Sequence, residues 1–219
     1  MSAVASASIP SATSPALHYH GGKFLLAPWI MHSLPPHRVY VEPFGGGASV
    51  LLRKPRSYAE IYNDLDGEIV NVFRVIRDRG DELAYALELT PFARDEFELS
   101  YQPDADPVEQ ARRTVLRSFA GFGSGGASAA STGFRSSCAR SGTTPAHDWM
   151  RLPPHMRQIT QRLQGVVIEH RDALEVMQRH DADEAVHYVD PPYVHSTRSM
   201  RKRAPSYRHE MTDEEHCEL

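Results

Sequence analysis

Residues 39–64 read VYVEPFGGGASVLLRKPRSYAEIYND and switch between strand-like and helix-like patterns. The β-branched and aromatic run at 39–44 stops at three glycines, and the short apolar stretch 48–52 that follows ends at Pro55. Residues 58–63 then alternate as a second short strand. A strand, a glycine turn, a helix and another strand predict a right-handed parallel unit, the core of a doubly wound α/β sheet.

The patterns that come next are mostly helical. Asp66 is predicted to cap a helix that ends at Gly80, because the apolar residues between them recur at helical spacing. Further helix starts are predicted at Asp81, at Thr90 and at Asp106, where the following Pro and Glu complete a capping box.

The strand pattern returns after Gly165. Residues 166–168 predict a third strand, residues 172–178 a helix, and residues 185–189 a fourth strand that leads directly into Asp190.

These patterns predict one α/β domain with an insertion. The sheet is assigned to residues 18–80 and 161–219, and the region inserted between them, residues 81–160, is predicted to be mainly helical. Residues 1–17 are rich in Ser, Ala and Pro, without a basic start or an apolar block, and are predicted to form a flexible tail and not a signal peptide.

Composition excludes several classes of protein. The chain has 219 residues, 41% of them hydrophobic, and two distant cysteines, Cys138 and Cys217, which exclude a disulfide framework. The longest apolar stretch, residues 24–31, is broken by Pro28 and is far shorter than the roughly 20 residues of a membrane span. The twelve histidines lack ligand spacing, so no metal site is predicted. The default expectation is a cytoplasmic protein.

The net charge of −4 is unevenly distributed. Residues 64–109 contain 13 acidic and 4 basic side chains, whereas residues 111–163 contain 8 arginines and one acid, Asp148. A further stretch, residues 198–209, is basic without any acid. Either basic block alone is equally compatible with a solvated face, but two blocks flanking a candidate site favour a polyanionic partner.

The sequence Asp190-Pro-Pro-Tyr193 carries the strongest chemical signal. Prolines cannot continue a sheet ladder, so they predict a rigid loop at the carboxyl end of the fourth strand. The Asp190 carboxylate and the Pro191 carbonyl would then be two fixed acceptors suited to both hydrogens of a planar amino group, and Tyr193 could stack on a base. The alternative is a structural Asp-Pro turn.

The glycine turn at 45–47 is a second candidate site. Glycine lets the backbone approach a ligand closely, and ligands bind beyond the carboxyl ends of parallel strands. Asp64 follows the next strand about 20 residues on, where an acid hydrogen-bonds ribose hydroxyls in nucleotide sites. A turn or helix-start role for Asp64 is equally compatible, and the absence of a following Lys with Ser or Thr disfavours a triphosphate site.

These motifs together resemble adenine-N6 DNA methyltransferases of the Dam-like class, most closely their shorter phage and prophage members. The resemblance extends from about residue 17 onward and includes Tyr207 with the following stretch 211–216. Its motifs occur in the family's order: Tyr19-His-Gly-Gly-Lys23, Glu42-Pro-Phe-Gly-Gly-Gly47, Asn63-Asp64 and Asp190-Pro-Pro-Tyr193.

The resemblance implies a Rossmann-like methyltransferase sheet and S-adenosylmethionine as the methyl donor. It implies that Asp64 binds the ribose of the donor, whereas Asp172 matches an acid near its adenine and equally suits a helix cap. The donor-binding residues implied are Tyr19, Lys23, Glu42, Phe44, Gly45, Gly47, Asp64, Asp172 and Asp190.

The implied reaction is direct methyl transfer to adenine N6 in duplex DNA. The target base would leave the duplex, stack on Tyr193 and bind the Asp190 loop, whose implied catalytic residues are Asp190, Pro191, Pro192 and Tyr193. Transfer to cytosine C5 would need a nucleophilic cysteine, and Cys138 and Cys217 lack a suitable context.

The same resemblance places target recognition in the inserted region. We predict Arg135 as a reader of base edges, with a phosphate or surface role as the alternative. The predicted DNA contacts are Arg112, Arg113, Arg117, Arg135, Arg140, Arg201, Lys202 and Arg203.

The carboxyl end departs from the family pattern. A capping box predicts a helix near Asp213 that reaches Leu219 after about two turns, whereas the family continues with further strands. This predicts a shortened chain and leaves three alternatives: an adenine methyltransferase, an inactive module that binds donor or DNA, and amino methylation of cytosine N4 or of a protein side chain. The target sequence, any restriction partner and the oligomeric state are not predicted.

Overall fold

The computed structural model describes residues 12–123, 125–127, 131–137, 142–194 and 207–219. Within these residues the centre is a parallel sheet of four strands in the order β3-β2-β1-β4. The strands are β1 (Val39–Glu42), β2 (Ala59–Asn63), β3 (Val166–Glu169) and β4 (Ala185–His187). The predicted α/β fold with a parallel sheet is confirmed, and β4 ends two residues earlier than its pattern indicates.

The helices surround this sheet. Their bounds are α1 (Ala27–Ser33), α2 (Ser49–Arg53), α3 (Gly67–Leu89), α4 (Arg94–Leu99), α5 (Pro107–Ala120), α6 (Pro145–Met150), α7 (Leu152–Leu163), α8 (Ala173–Arg179) and α9 (Asp213–Glu218). The predicted caps of α3, α5 and α9 are confirmed, because Asp66, Asp106 and Thr212 each accept a hydrogen bond from a backbone N–H of the first turn. The capping box is complete only at α9, since Glu109 of α5 bonds Arg112 and Arg113 and the Asp106 N–H donates to Asp104. Within the described residues, no helix is long and apolar enough to cross a membrane.

Alternation along β1 separates two faces of the sheet. Tyr40 belongs to the main core, which also holds Phe73 of α3 and Met156 of α7. Val41 points to the opposite face and packs with Val176 of α8 in a smaller cluster. This two-sided burial is what a doubly wound sheet requires.

The predicted helix end at Gly80 lies within one residue of a break in α3. Arg79 has a non-helical φ of −134° and ψ of 35°, so Gly67–Leu89 consists of two helical segments joined by a kink at this residue. Gly80 faces α7, and a Cβ at this position would lie 2.0 Å from Thr160 Oγ1. The glycine therefore allows a close helix contact, and the predicted helix start at Asp81 agrees with the second segment, which follows the kink. The predicted start at Thr90 is wrong, because α4 begins at Arg94.

The predicted inserted region, residues 81–160, is mainly helical where described. Its first boundary lies next to the kink at Arg79, whereas residue 160 lies within α7. Helices α3, α5 and α7 pack in one core, and the insertion as a distinct recognition region stays a prediction.

The predicted flexible tail is also wrong for its described part. Ala16 and Leu17 are buried, and the Ala12 N–H donates to the carbonyl of Leu52 over 3.1 Å. His155 Nε2 donates to the carbonyl of Ser14 over 2.6 Å. These contacts fix residues 12–17 against the core, and residues 1–11 lie outside the described part of the chain.

A buried ionic cluster joins α7 to the sheet. Arg162 donates to both carboxylate oxygens of Glu60 over 2.7 and 2.8 Å, and Lys54 donates to the same carboxylate over 2.6 Å. Arg162 also donates to the carbonyl of Leu51 in α2 over 2.6 Å. The cluster fixes the helix that follows the glycine turn.

Candidate functional site

A cavity of about 250 Å³ lies at the carboxyl ends of the strands. Its walls come from the loop 19–23, the glycine turn after β1, the loop 63–66 after β2, the loop that begins at Asp190 after β4, and residues 207–211. The glycine turn, Asp64 and Asp190, which the resemblance assigns to donor binding, therefore meet at one cavity.

The glycine turn is too tightly enclosed to admit side chains. A Cβ on Gly45 would lie 2.1 Å from the ring of Tyr62, and one on Gly46 would lie 2.6 Å from the ring of Tyr19. Gly46 has φ of +46° and Ala48 has φ of +52°, both in the left-handed region. The Gly45 N–H donates to the carbonyl of Asn63 over 2.7 Å, which ties the turn to β2. The backbone of this turn thus lines the cavity directly.

Glu42 is a predicted donor-binding residue, and the structure gives it a different contact set. Its Oε2 accepts from the hydroxyl of Tyr40 over 2.8 Å and from the backbone N–H of Leu51 over 3.0 Å. Leu51 lies in the first turn of α2, where the N-cap Ala48 has no polar side chain. Glu42 therefore caps α2, and it also lines the cavity. Burial raises the pKa of Glu42 to about 8, so this carboxyl is mostly neutral at pH 7.

Asp64 is held by two backbone N–H groups. Its Oδ2 accepts from Gly46 over 2.7 Å and its Oδ1 accepts from Asp66 over 2.8 Å. Burial raises the pKa of Asp64 to about 6, although these hydrogen bonds oppose the rise. Each carboxylate oxygen keeps a second lone pair, so the group can still accept hydroxyl donors in the cavity.

Asp190 pairs with the lysine of the amino-terminal motif. Lys23 Nζ lies 3.0 Å from Oδ1 and 2.7 Å from Oδ2 of Asp190, and it also donates to the carbonyl of Gly21 over 2.8 Å. The same ammonium lies 5.2 Å from the centre of the Tyr193 ring, which is 49% exposed. Residues distant in sequence thus form one acidic and aromatic centre at the edge of the cavity.

Other predicted donor-binding residues also lie at the cavity. The side chain of Tyr19 packs over the glycine turn, and Phe44 and Gly47 belong to the lining. Asp172 caps α8, accepting from the N–H groups of Leu174 and Glu175, and it lines the cavity as well. The cap is shown, and a role at the donor remains a proposal.

Three of the predicted DNA contacts are buried in ion pairs. Arg117 is 4% exposed and bonds Glu68, whereas Arg112 and Arg113 share Glu109. Arg112 also pairs with Glu96, and Arg113 pairs with Asp104. The prediction for these three arginines is wrong, because their charges are neutralised within the fold. Counting charges along the sequence could not reveal this pairing.

Five of the predicted DNA contacts remain. Arg135 is half-buried and donates from Nη1 to the carbonyl of Phe119 over 3.2 Å, close to the end of α5. Arg140, Arg201, Lys202 and Arg203 lie outside the described residues. All five stay predictions.

Two residues that shape the site have roles that sequence reasoning missed. The Tyr62 hydroxyl donates to the carbonyl of Gly46 over 2.8 Å, and the Asn63 amide donates to the carbonyls of Pro43 and Arg171. Asn63 belongs to one of the motifs, but its bridging of three loops has no local signal. Tyr62 appears in the sequence only as one residue of an alternating strand.

Comparison with known proteins agrees with this site. No match was found among curated proteins. A family model described as D12 class N6 adenine-specific DNA methyltransferase matches residues 19–218, from the first motif at the cavity to the last helix. The chain belongs to the D12 class of N6 adenine-specific DNA methyltransferases.

Proposed function

We propose that the cavity and the Asp190 loop carry out the reaction of this family within this chain. The family uses S-adenosylmethionine to methylate adenine N6 in DNA. The observation that supports our assignment is the position of the Asp190 carboxylate. It lies at the carboxyl end of β4, beside the glycine turn of β1, so a target amino group held by Asp190 would face a donor held by that turn.

The residues at the cavity fit S-adenosylmethionine. The glycine turn offers backbone without side chains, which suits the close approach of the methionine part of the donor. Asp64 retains acceptor capacity for the two ribose hydroxyls, and Asp172 borders the same cavity for the adenine end. When bound, the donor supplies a methyl group on a positively charged sulfur.

The target base is assigned to the Asp190 loop. The Asp190 carboxylate and the Pro191 carbonyl accept the two N6 hydrogens, which orients the nitrogen lone pair toward the methyl group. Lys23 orients the carboxylate, and the two carboxylate oxygens have enough lone pairs to accept from both Lys23 and the base. As the N–C bond forms and the C–S bond breaks, the surplus N6 proton leaves along its hydrogen bond to Asp190.

The base reaches this loop only if it leaves the duplex. We assign Tyr193 as its stacking surface, because the ring is half exposed beside the Asp190 carboxylate. Target recognition is assigned to residues 81–160, with Arg135 and Arg140 as candidate contacts. Residues Arg201, Lys202 and Arg203 are assigned to phosphates beside the loop.

Transfer of tritiated methyl groups to duplex DNA tests the proposal. The wild-type chain should label adenine, and Asp190→Asn should lower kcat at least about 100-fold while donor affinity changes only a few-fold. Asp183→Asn is a matched control, because Asp183 is an exposed acid just before β4. Labelled cytosine would contradict the assigned target, and full activity of Asp190→Asn would contradict the role of Asp190.

An inactive binding module is the second candidate. The convergence of all the family motifs on one cavity favours the enzyme over it. Donor binding by the wild type without any transfer to DNA would instead favour the module.

The role of Arg135 has its own test. If Arg135 reads a base edge, Arg135→Ala should relax discrimination at one position of the target site by about 1–3 kcal/mol. Weaker binding with unchanged discrimination would reassign Arg135 to the phosphates or to the support of α5.

A further inference from the structure

Residues 207–211 form a strap along one wall of the cavity. Three rings pack together at its start: the Tyr207 ring centre lies 5.1 Å from that of His20 and 6.3 Å from that of Tyr19. The Tyr207 hydroxyl approaches so close that a Cβ on Gly21 would lie 2.6 Å from it. The strap therefore closes against the same loop that carries Lys23.

Arg208 fastens the strap to the start of α3. Its Nη1 donates to Glu68 Oε1 over 2.7 Å, and its Nε lies 3.3 Å from Asp66 Oδ2. The Asp66 side chain is 3% exposed, and its Oδ2 accepts no hydrogen bond within the described residues. The guanidinium of Arg208 is thus the charge that compensates this buried oxygen.

Glu68, which accepts the hydrogen bond from Arg208, is itself held in place by a second arginine. Glu68 Oε2 accepts from Arg117, which is 4% exposed and also donates to the carbonyl of Ser100 over 3.1 Å. Burial alone would raise the pKa of Glu68, but the hydrogen bond from Arg208 and the charge of Arg117 hold it below its ordinary value. Glu68 is therefore a fixed anion in the first turn of α3, two residues after Asp66.

We propose that the strap is a closure over the donor pocket and that Arg208 is its latch, acting as a positioning residue through Glu68 and Asp66. This inference rests on the proposed donor site. Tyr207 and Met211 of the strap line the cavity together with Asp64 and Gly46. A ligand held between these residues can leave when the strap moves, and moving the strap requires the two contacts of Arg208 to break. The latch should therefore slow donor release more than it changes the chemical step.

The experiment compares Arg208→Met with the wild type, using S-adenosylmethionine and S-adenosylhomocysteine as probes. Calorimetry gives Kd and a stopped-flow competition assay gives the dissociation rate. We expect both to rise about tenfold, because the variant loses charge-assisted contacts at a partly shielded site. Arg208→Lys, which keeps the charge, should raise Kd and the dissociation rate less than Arg208→Met does.

Two further variants separate this role from a general loss of stability. Arg38→Met removes an exposed ion pair with Glu184 ahead of β1, at the far end of the sheet. This variant should change neither the Kd nor the dissociation rate of the probes. Glu68→Gln should weaken donor retention by itself, and the effect of the double variant should be clearly less than the sum of the two single effects, because the contact between Arg208 and Glu68 is lost in both. The midpoint of thermal unfolding of each variant is measured in parallel.

The outcomes distinguish a failure of the proposed donor site from a failure of the proposed role of Arg208. If the wild type binds neither probe, the proposed donor site is wrong. If the wild type binds and Arg208→Met keeps Kd and dissociation rate within twofold, the site stands and the latch is refuted. Additive effects of Glu68→Gln and Arg208→Met would also refute a shared latch.

Discussion

Two carboxyl groups in the cavity wall illustrate how burial changes the chemistry of a residue. Glu42 has its pKa raised to about 8 and Asp64 has its pKa raised to about 6, in both cases mainly by burial. A raised pKa means that the folded protein holds a proton that the unfolded chain has lost. The stabilisation is therefore complete below the unfolded pKa values, near 4, and is lost as pH rises through the folded values.

The difference between the two folded pKa values gives a pH range in which the titration of Glu42 dominates the change in stability. Asp64 is already half ionised at pH 6 and contributes little beyond it, so between pH 6 and pH 8 the wild-type free energy of unfolding should fall by about 2 kcal/mol mainly through Glu42. Glu42→Gln keeps the acceptor for Leu51 and Tyr40 without a titrating proton, and its stability should change much less over this window. Urea unfolding at several pH values measures this, and parallel curves for the two proteins would contradict the prediction.

At the scale of elements, contacts between helices and the sheet hold the glycine turn in place. The helix after the turn, α2, is capped by Glu42 from β1 and receives Arg162 from α7 at its Leu51 carbonyl. Helix α7 in turn packs on α3 where Gly80 meets Thr160. The local sequence of α2 is short and lacks a capping side chain of its own, so its position depends on these neighbours.

Two arginines of α7 should differ strongly in their effect on stability. Arg162 is 1% exposed and neutralises Glu60, so Arg162→Met should lower the free energy of unfolding by about 3–5 kcal/mol. Arg157 is 44% exposed with longer contacts to Asp81 and Glu88, so Arg157→Met should cost no more than about 1 kcal/mol. Equal losses in urea unfolding would show that the buried cluster has no special role.

Over the whole molecule, internal pairing decides which charges remain for DNA. The net charge is −4, and Arg112, Arg113 and Arg117 of the basic block are already bonded to carboxylates. They hold α5 to α3 and α4, so they contribute structure and not a free positive surface. Attraction to phosphates must then come from other basic residues. Arg208 is also paired within the fold, so the stretch 198–203 is the richest remaining source in the sequence.

The salt dependence of DNA binding tests which basic residues contact the phosphates. Replacing Arg201, Lys202 and Arg203 together by Gln should reduce the slope of log Kobs against log salt by roughly 1 for each phosphate that the variant no longer neutralises. Arg38→Gln, ahead of β1 and away from the cavity, serves as the control and should leave the slope unchanged. An unchanged slope in the triple variant would remove this stretch from the DNA interface.

The sequence by itself determined the parallel sheet, the glycine turn after β1, the caps of α3, α5 and α9, and the meeting of Asp64 and Asp190 at one edge. These features follow from local periodicity and from the rule that parallel strands bring their carboxyl ends together.

Only the tertiary structure decided that Gly80 packs against α7, that Glu42 caps α2, that residues 12–17 are packed, and that Arg208 reaches Glu68. Each of these depends on a partner many residues away, such as Thr160 for Gly80 or Leu52 for Ala12. The same is true of the arginines of α5, whose exposure depends on carboxylates supplied by other helices. Local patterns encode the conformation of a segment, whereas burial and ion pairing depend on which segments the fold brings into contact.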